Sequence, residues 1–423
     1  MAHRRTCAFT RAGLCCYTAL VGSLVYLWII RCTSIVTSAA FFLQTPWVGK
    51  TSVEQELQLG NASVTEGNHQ DDDTSVRNSV QLILQRLSSL TLQRFANAGK
   101  HLVRMNTTNS LFDDTLYLTP LMYDGGLGNF MFITASSWGL AQNNQRTMSF
   151  FETYWAEKYF LNLGIPHVNV SVWSGKDNTT IIGDDIRTNF TMYENYALAF
   201  ETEMTEINGE FGNTHVALGG YLQSWKYFHQ YRDEIRSLFT FHRSIHRLAC
   251  LKLRTHLNEH YNKALNLSVN VGIPHRNLAS PTLIGIHVRR GDILDPLQLK
   301  HGHQPASEEY LLRAPLKLQS RYKDALFLVV SNDMEYCQKL YQGLDNYIFM
   351  TPLNDWEPDA VDMAILTLMD HLILTVGTYG WWAAYLSDAK DVFYFKDWPR
   401  VDSDMRNASN AEDYFLPSWK PFV

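Results

Sequence analysis

A histidine, two arginines and an aspartate stand together at the end of one short apolar run, Leu283-Ile284-Gly285-Ile286-His287-Val288-Arg289-Arg290-Gly291-Asp292. An apolar run of this length predicts a buried strand. A strand that delivers paired guanidinium groups to its carboxyl end builds an anion site, because the planar fork of Arg matches phosphate oxygens. A solvated turn with an Arg–Asp surface pair would carry the same letters. Two downstream stretches repeat the design of strand, polar loop and helix. Ala325 to Val330 runs into Ser331-Asn332-Asp333-Met334-Glu335-Tyr336-Cys337, where Ser331 would cap the helix. Asp333 would either sit in its first turn or accept paired N–H bonds from a purine edge such as guanine. His371 to Val376 runs into Gly377-Thr378-Tyr379-Gly380, a glycine turn that aims a helix N-terminus at the sheet edge and suits a pyrophosphate. Three such edges, one with two arginines, describe a nucleotide diphosphate site without a P-loop.

The elements that must position these residues follow from the alternation of apolar and helical stretches. After the loop Asn270 to Pro281, strands are expected at Leu283 to Val288, Ala325 to Val330, Tyr347 to Met350, His371 to Val376 and Val392 to Phe395. Helical segments between them imply a parallel sheet with right-handed crossovers. A first lobe opens with Leu116-Tyr117-Leu118, then Asp124-Gly125-Gly126-Leu127-Gly128-Asn129 and a helix over Phe130 to Gln142. This again lets backbone amides approach a ligand. Met131 replaces the third glycine of a dinucleotide fingerprint, and no Gly-Lys-Ser/Thr phosphate loop is present. The aromatics of Gly219 to Phe228 could stack on a sugar or pack, and a helix is expected from Arg232 through Glu259. At 423 residues, 46% hydrophobic and 13% aromatic, the chain can bury two cores. A net charge of -6 with mixed signs offers no broad basic field, which argues against nucleic acid as a partner.

Arg4, Arg5 and Arg11 precede nineteen uncharged residues, Ala12 to Ile30. That length and charge placement predict a transmembrane signal anchor with a cytoplasmic tail; a cleavable signal peptide, with Ser38, Ala39 and Ala40 near its end, is the alternative. The expected organisation is a tail over 1–11, an anchor over 12–30, a polar stem over 31–112, an N-terminal lobe over 113–275 and a C-terminal lobe over 276–423. Val80, Ile83, Leu87 and Leu90 follow helical spacing in the stem and could pair two chains or pack on the domain. Sequons at Asn61, Asn106, Asn169, Asn178, Asn189, Asn266 and Asn407 fit a glycosylated lumenal chain. Four of six cysteines cluster at the anchor, leaving Cys250 and Cys337, which could form one disulfide.

The words HVRRGD (His287 to Asp292), SNDMEYC (Ser331 to Cys337), GTYGWWAAYL (Gly377 to Leu386) and GGLGNFMF (Gly125 to Phe132), with a weaker GYLQSWKYF, carry a resemblance. From about Tyr117 to Trp419 the chain resembles the α1,2-fucosyltransferase family, Golgi enzymes that move L-fucose from GDP-fucose to a terminal galactose. The resemblance implies an α/β fold of GT-B type: two Rossmann-like lobes behind a transmembrane helix and stem, with the donor nucleotide in the C-terminal lobe. It implies that Arg289 binds the β-phosphate and carries leaving-group charge, that Arg290 pairs locally, and that His287 and Asp333 contact guanine. Ser331, Gly377, Thr378 and Tyr379 would lie at the donor, and Gly128 and Asn129 would approach it from the other lobe. Departures stand at Phe130, Ile293, Tyr336 and Tyr379, of which Phe130 bears on the acceptor side. Arginines and helix ends can replace a metal on a departing diphosphate, so no metal is expected. Asp292 is a candidate base, although a carboxylate paired with Arg is a poor one. Asp402-Ser403-Asp404 and Asp113-Asp114 would suit a metal-dependent GT-A transferase instead, and an inactive glycan-binding homologue is a third reading.

Overall fold

The structure, a computed structural model, describes residues 80–96 and 115–423, apart from 123–124, 162, 169–179, 183–184, 188–190, 196–197, 213 and 272–280. The expected tail and anchor, most of the stem, and the sequons at Asn61, Asn106, Asn169, Asn178 and Asn189 lie outside the described residues. Everything described belongs to one compact unit, 69–423.

Its first element is a helix over 80–96, α1. Strand β1 (Tyr117–Pro120) leads through the glycine loop into α2 (Leu127–Asn143), and β2 (Thr147–Met148) follows. A small antiparallel hairpin pairs β3 (Thr180–Ile182) with β4 (Asp185–Arg187), before β5 (Thr191–Tyr193) and β6 (Val216–Gly219). Sheet one is parallel throughout, in the order β2-β1-β6-β5. Helices α3 (Arg232–Leu238) and α4 (Arg243–Val271) then lead to β7 (Leu283–Val288), α5 (Glu308–Arg321), β8 (Leu326–Ser331) and α6 (Met334–Leu340). The chain continues through β9 (Tyr347–Phe349), α7 (Asp359–Leu366), β10 (His371–Leu374), α8 (Thr378–Leu386), β11 (Asp391–Phe395) and β12 (Lys420–Phe422). Sheet two is parallel, in the order β12-β11-β10-β7-β8-β9. Its central strand β7 is buried at all six positions, which is why it reads as a continuous apolar run rather than an alternating one.

The single helix expected from Arg232 is broken. Residues 239–242 leave the helix because their backbone is claimed elsewhere: Phe241 bridges to Phe160, Thr240 accepts from Leu161 N–H at 2.7 Å, and His242 N–H donates to Tyr159 at 2.7 Å. Phe239 and Phe241 bury their rings against Phe160. Tertiary pairing overrides local helix preference here.

The stretch read as stem contains α1, which is part of the globular unit. Val80, Ile83, Leu84 and Leu87 are buried in its core, so the face that could have paired two chains is occupied by the chain's own domain. Cys250 and Cys337 are unbridged; Cys337 is packed in the core as a small apolar side chain.

Candidate functional site

In each sheet the strand order reverses at one place, between β1 and β6 in sheet one and between β7 and β10 in sheet two. Open parallel sheets bind ligands outside the carboxyl ends of their strands at such points. The motif residues gather at these two places, and the two places meet.

At the end of β7, His287 is buried and stacks on the ring of Tyr379, with centroids 5.2 Å apart and an interplanar angle of 24°. A Cβ on Gly380 would lie 2.5 Å from its Nδ1, so Gly380 is the gap into which the imidazole fits. Burial, with the nearby Arg289, pushes His287 down to about 3, and the ring is neutral near pH 7. The Tyr379 hydroxyl donates to the Asp359 carbonyl, which fixes the ring that His287 rests on.

Arg289 follows. Its backbone N–H donates to Thr375 Oγ1 at 2.9 Å, tying β7 to the loop after β10. Its Nε and Nη2 grip Asp292 Oδ2 at 3.1 and 2.6 Å. Nη1 lies against Gly377, where a Cβ would overlap it; Gly377 also has φ +84°, a second reason for glycine. Gly377 opens α8 without a side-chain cap, so first-turn N–H groups of that helix have no side chain closing them off. A guanidinium beside an uncapped helix N-terminus is a paired set of donors for a diphosphate.

Arg290 builds the frame around this. Its Nη1 donates to Asp333 Oδ2 at 2.8 Å, and its guanidinium lies over the Tyr336 ring, 4.0 Å from the centroid. Asp333, not Ser331, caps α6, accepting from Tyr336 N–H at 3.3 Å. Ser331 is still the last residue of β8, and its hydroxyl accepts from Asp333 N–H at 2.9 Å, which moves the cap two residues on. Each oxygen of Asp333 thus has one bond and a spare lone pair.

Asp292 is not placed as a base. Burial favours its neutral form, yet the Arg289 bonds and the Asn332 Nδ2 donor at 2.7 Å outweigh it and hold the carboxyl below the usual range. A strongly paired carboxylate resists taking a proton. Asn332, unremarked in the sequence, organises the turn: its Oδ1 accepts from the N–H groups of Arg290 (2.8 Å) and Gly291 (3.1 Å). Its position between a strand and a helix was the available signal, since Asn closes such turns on the backbone.

From sheet one, α2 brings Gly128 and Asn129 against α8. Asn129 Oδ1 accepts from the Thr378 hydroxyl at 2.8 Å and from Gln223 Nε2 at 3.1 Å. A Cβ on Gly128 would lie 2.6 Å from the Thr378 carbonyl carbon and Oγ1 and 2.7 Å from Tyr379 N. Helix α2 likewise starts without a side-chain cap, at Gly126. Behind the contact, Phe132 of α2 packs on Trp381 and Trp382 of α8, centroids 4.4 and 5.2 Å away. The tryptophans of the GTYGWWAAYL word are therefore core. So is Phe130, buried beside Phe150 and Tyr154, and so is Ile293. Of the aromatics in the 219–228 stretch, Tyr227 and Phe228 pack in the core. Gly128→Ala should force the two helices apart at a backbone contact that cannot yield, costing about 1–3 kcal/mol. The check is thermal melting alongside nucleotide titration; unchanged values for both would mean that the close approach has no role.

Gln223 and Glu194 were also unremarked in the sequence. Glu194 stands one residue beyond β5, at the carboxyl edge of sheet one, and its Oε2 accepts from Leu222 N–H at 2.9 Å. Its Oε1 is buried and makes no hydrogen bond of good geometry. Burial, reinforced by Glu201 and opposed by the backbone N–H groups of Leu222, Tyr221 and Gln223, pushes this carboxyl up to about 7.

Among the described residues no group of three or more His, Cys, Asp and Glu is arranged to hold a metal. Ser403 of the Asp402-Ser403-Asp404 stretch caps a short helix over Asp404–Asn407, and Asp113-Asp114 lies outside the described residues. A cavity of about 560 Å³ opens away from the junction, among α1, α3 and the end of α8. Its arginines, Arg94 and Arg236, are both paired with Asp388, so the size of a cavity does not locate the chemistry.

Comparison with known proteins matches residues 178–422 to the family model for glycosyl transferase family 11. Galactoside alpha-(1,2)-fucosyltransferase 1 of Saimiri boliviensis boliviensis is 32% identical over 217 residues, 51% of this chain and 55% of the relative. The Bos taurus protein of the same name is 31% identical over 217 residues, 51% of this chain and 56% of the relative. The chain thus spans about half the length of the curated relatives it matches. Among solved structures, a mutant of Arabidopsis thaliana FUT1 in complex with GDP covers 74% of this chain and 78% of its own, at 14% identity and TM-score 0.37. NodZ alpha-1,6-fucosyltransferase soaked with GDP-fucose covers 66% and 95%, at 13% identity and TM-score 0.39. Because the family model spans more than half of the sequence and includes three of the four motif words, the chain belongs to glycosyl transferase family 11.

Proposed function

We propose that this protein transfers L-fucose from GDP-fucose to the 2-hydroxyl of a terminal β-galactoside, with inversion, on a GT-B framework whose sheet-two lobe holds the donor. One observation carries the reading: Arg289 Nη1, the glycine-opened start of α8 and the start of α2 converge on one place, where the departing diphosphate charge would be met by fixed donors. The matched relatives carry the galactoside alpha-(1,2)-fucosyltransferase name, which agrees with it. In this reading His287 and Asp333 face the guanine, and Arg290, through Asp333 and Tyr336, holds that wall in place. Ser331 seats the Asp333 backbone, while Thr378 and Asn129 bridge the lobes over the sugar. The diphosphate is held by these side chains and helix ends without a metal.

Residence in the Golgi as a single-pass protein with a lumenal catalytic unit is proposed from Ala12 to Ile30 and the sequons. Among the described residues no helix is long and apolar enough to cross a membrane. Of the two described sequon asparagines, Asn407 is exposed and open to glycosylation, and Asn266 lies within α4.

Titrating GDP, ADP and UDP against the protein, with and without chelator, tests the reading. GDP should bind far more tightly than either, because Asp333 keeps two lone pairs for the guanine N–H pair, whereas adenine and uracil leave it unmatched; such a site discriminates by as much as about 10⁴-fold. Chelator should leave GDP affinity unchanged. Equal affinities, or binding abolished by chelator, would replace this reading with the metal-dependent one.

A further inference from the structure

We propose that Glu194 is the general base of the transfer, its Oε1 accepting the proton of the acceptor hydroxyl; this rests on the fucosyl-transfer reading above. Inverting transfer needs a proton acceptor on the far side of the sugar from the departing phosphate. Arg289 and the start of α8 meet the phosphate from sheet two and the start of α2 meets it from β1, which leaves the β5 side of sheet one for the base. Glu194 stands at the carboxyl edge of sheet one, on the β5 flank of its switch point. Three hydrogen bonds connect it to the start of α8. Glu194 Oε2 accepts from Leu222 N–H (2.9 Å), the adjacent Gln223 donates to Asn129 (3.1 Å), and Asn129 accepts from Thr378 (2.8 Å).

The amides of Leu222, Tyr221 and Gln223 face the carboxylate, and Oε1 makes no hydrogen bond of good geometry. That separates it from every other carboxylate nearby. Asp292 is gripped by Arg289 and Asn332, and Asp333 by Arg290 and the cap of α6. Glu201 accepts from Asn195 N–H (2.6 Å) and Nδ2 (2.8 Å), and Asp413 pairs with Lys226. The charged and titratable groups that bear on Glu194 are Glu201, which favours its neutral form, and the Tyr227 hydroxyl, on which Asp413 also acts. A carboxyl pushed up to about 7 can take a proton from an alcohol and release it near neutral pH. The turn beside it is strained, with Gly220 at φ +107° and the non-glycine Leu222 at φ +50°. A Cβ on Gly220 would lie 2.5 Å from Glu194 Cβ. Oε1 is buried, so the acceptor hydroxyl reaches it only where this turn gives way.

In the step, the acceptor O–H proton passes to Oε1 while its oxygen bonds to the fucose anomeric carbon. The bond from that carbon to the β-phosphate oxygen breaks, and its electron pair leaves on GDP, facing Arg289 and the α8 N-terminus. Glu194 then returns the proton to water. No other reactant is needed.

Glu194→Gln keeps the shape and the acceptor for Leu222 N–H but cannot take a proton. With GDP-fucose and lactose, its kcat should fall about 10²-fold or more, the range for loss of a general base. GDP affinity and the melting temperature should stay near wild type, and the acid limb near pH 7 in wild-type kcat/KM should vanish. Glu194→Asp should recover part of the rate and retain an acid limb. Wild-type transfer with an active Glu194→Gln, or with its acid limb intact, overturns the base assignment alone. Parallel loss of GDP binding and thermal stability makes Glu194 a structural support and overturns it as well. No transfer by the wild-type chain, or no GDP binding, defeats the fucosyl-transfer reading itself.

Discussion

Arg289→Lys should lower kcat/KM for GDP-fucose by a hundred-fold or more while leaving the melting temperature within a few degrees of wild type. Two facts set the size of the effect. Nε and Nη2 are spent on Asp292, so Nη1 is the group offered toward Gly377 and the α8 N-terminus. The Asp292 grip orients the guanidinium plane. A lysine ammonium can reach Asp292 or the phosphate but cannot keep a fixed fork between them. Removing one donor aimed at developing charge costs about 10²–10³ in rate. Stability should barely change, because the Arg289–Asp292 pair is partly exposed and such pairs contribute roughly 0–1 kcal/mol. Steady-state kinetics with a melting curve decides it: near-normal turnover would remove Arg289 from the phosphate. Arg290→Lys is the control, since Arg290 acts through Asp333 and Tyr336.

Strand β7 was legible to the residue, because a strand buried on both faces shows an unbroken apolar run and its polar residues cluster after it. The motif words placed the rest of the junction from sheet two. What the sequence hid was set by contacts distant in the chain. Glu194 lies in none of the motif words; only the parallel pairing of β5 with β6 brings it to the turn that carries Gln223. Asp292 looked available as a base because its pairing with Asn332 spans forty positions. The cap of α6 moved from Ser331 to Asp333 because β8 runs one residue longer than its apolar stretch. The break before α4 arose from pairing to Phe160, which no local pattern announces.

The same reasoning changes what is expected of the stem. A polar stretch with one short amphipathic helix reads as a spacer, and a chain starting near Asn109 would then be soluble and active. The structure predicts otherwise. Helix α1 buries Val80, Ile83, Leu84 and Leu87, and at about 1.5–3 kcal/mol for each buried aliphatic side chain their loss removes several kcal/mol. A whole domain has only about 5–15 kcal/mol in hand. The polar contacts make the position specific: Arg86 donates to Asp370 at 3.0 Å, and the same Asp370 oxygen accepts from Leu283 N–H at 2.9 Å, at the start of β7. Arg94 donates to the Thr367 carbonyl at 2.8 Å, at the end of α7. The helix therefore steadies the strand and the helix end that precede the motif-bearing loops. A chain beginning at Asn109 should melt well below one beginning at His69, or aggregate on expression, whereas the His69 chain should match the longer protein in melting temperature and GDP affinity. Equal melting temperatures for the two shortened chains would make α1 a detachable spacer; a lower one for the Asn109 chain, restored neither by GDP nor by salt, would place the start of the catalytic unit before residue 80.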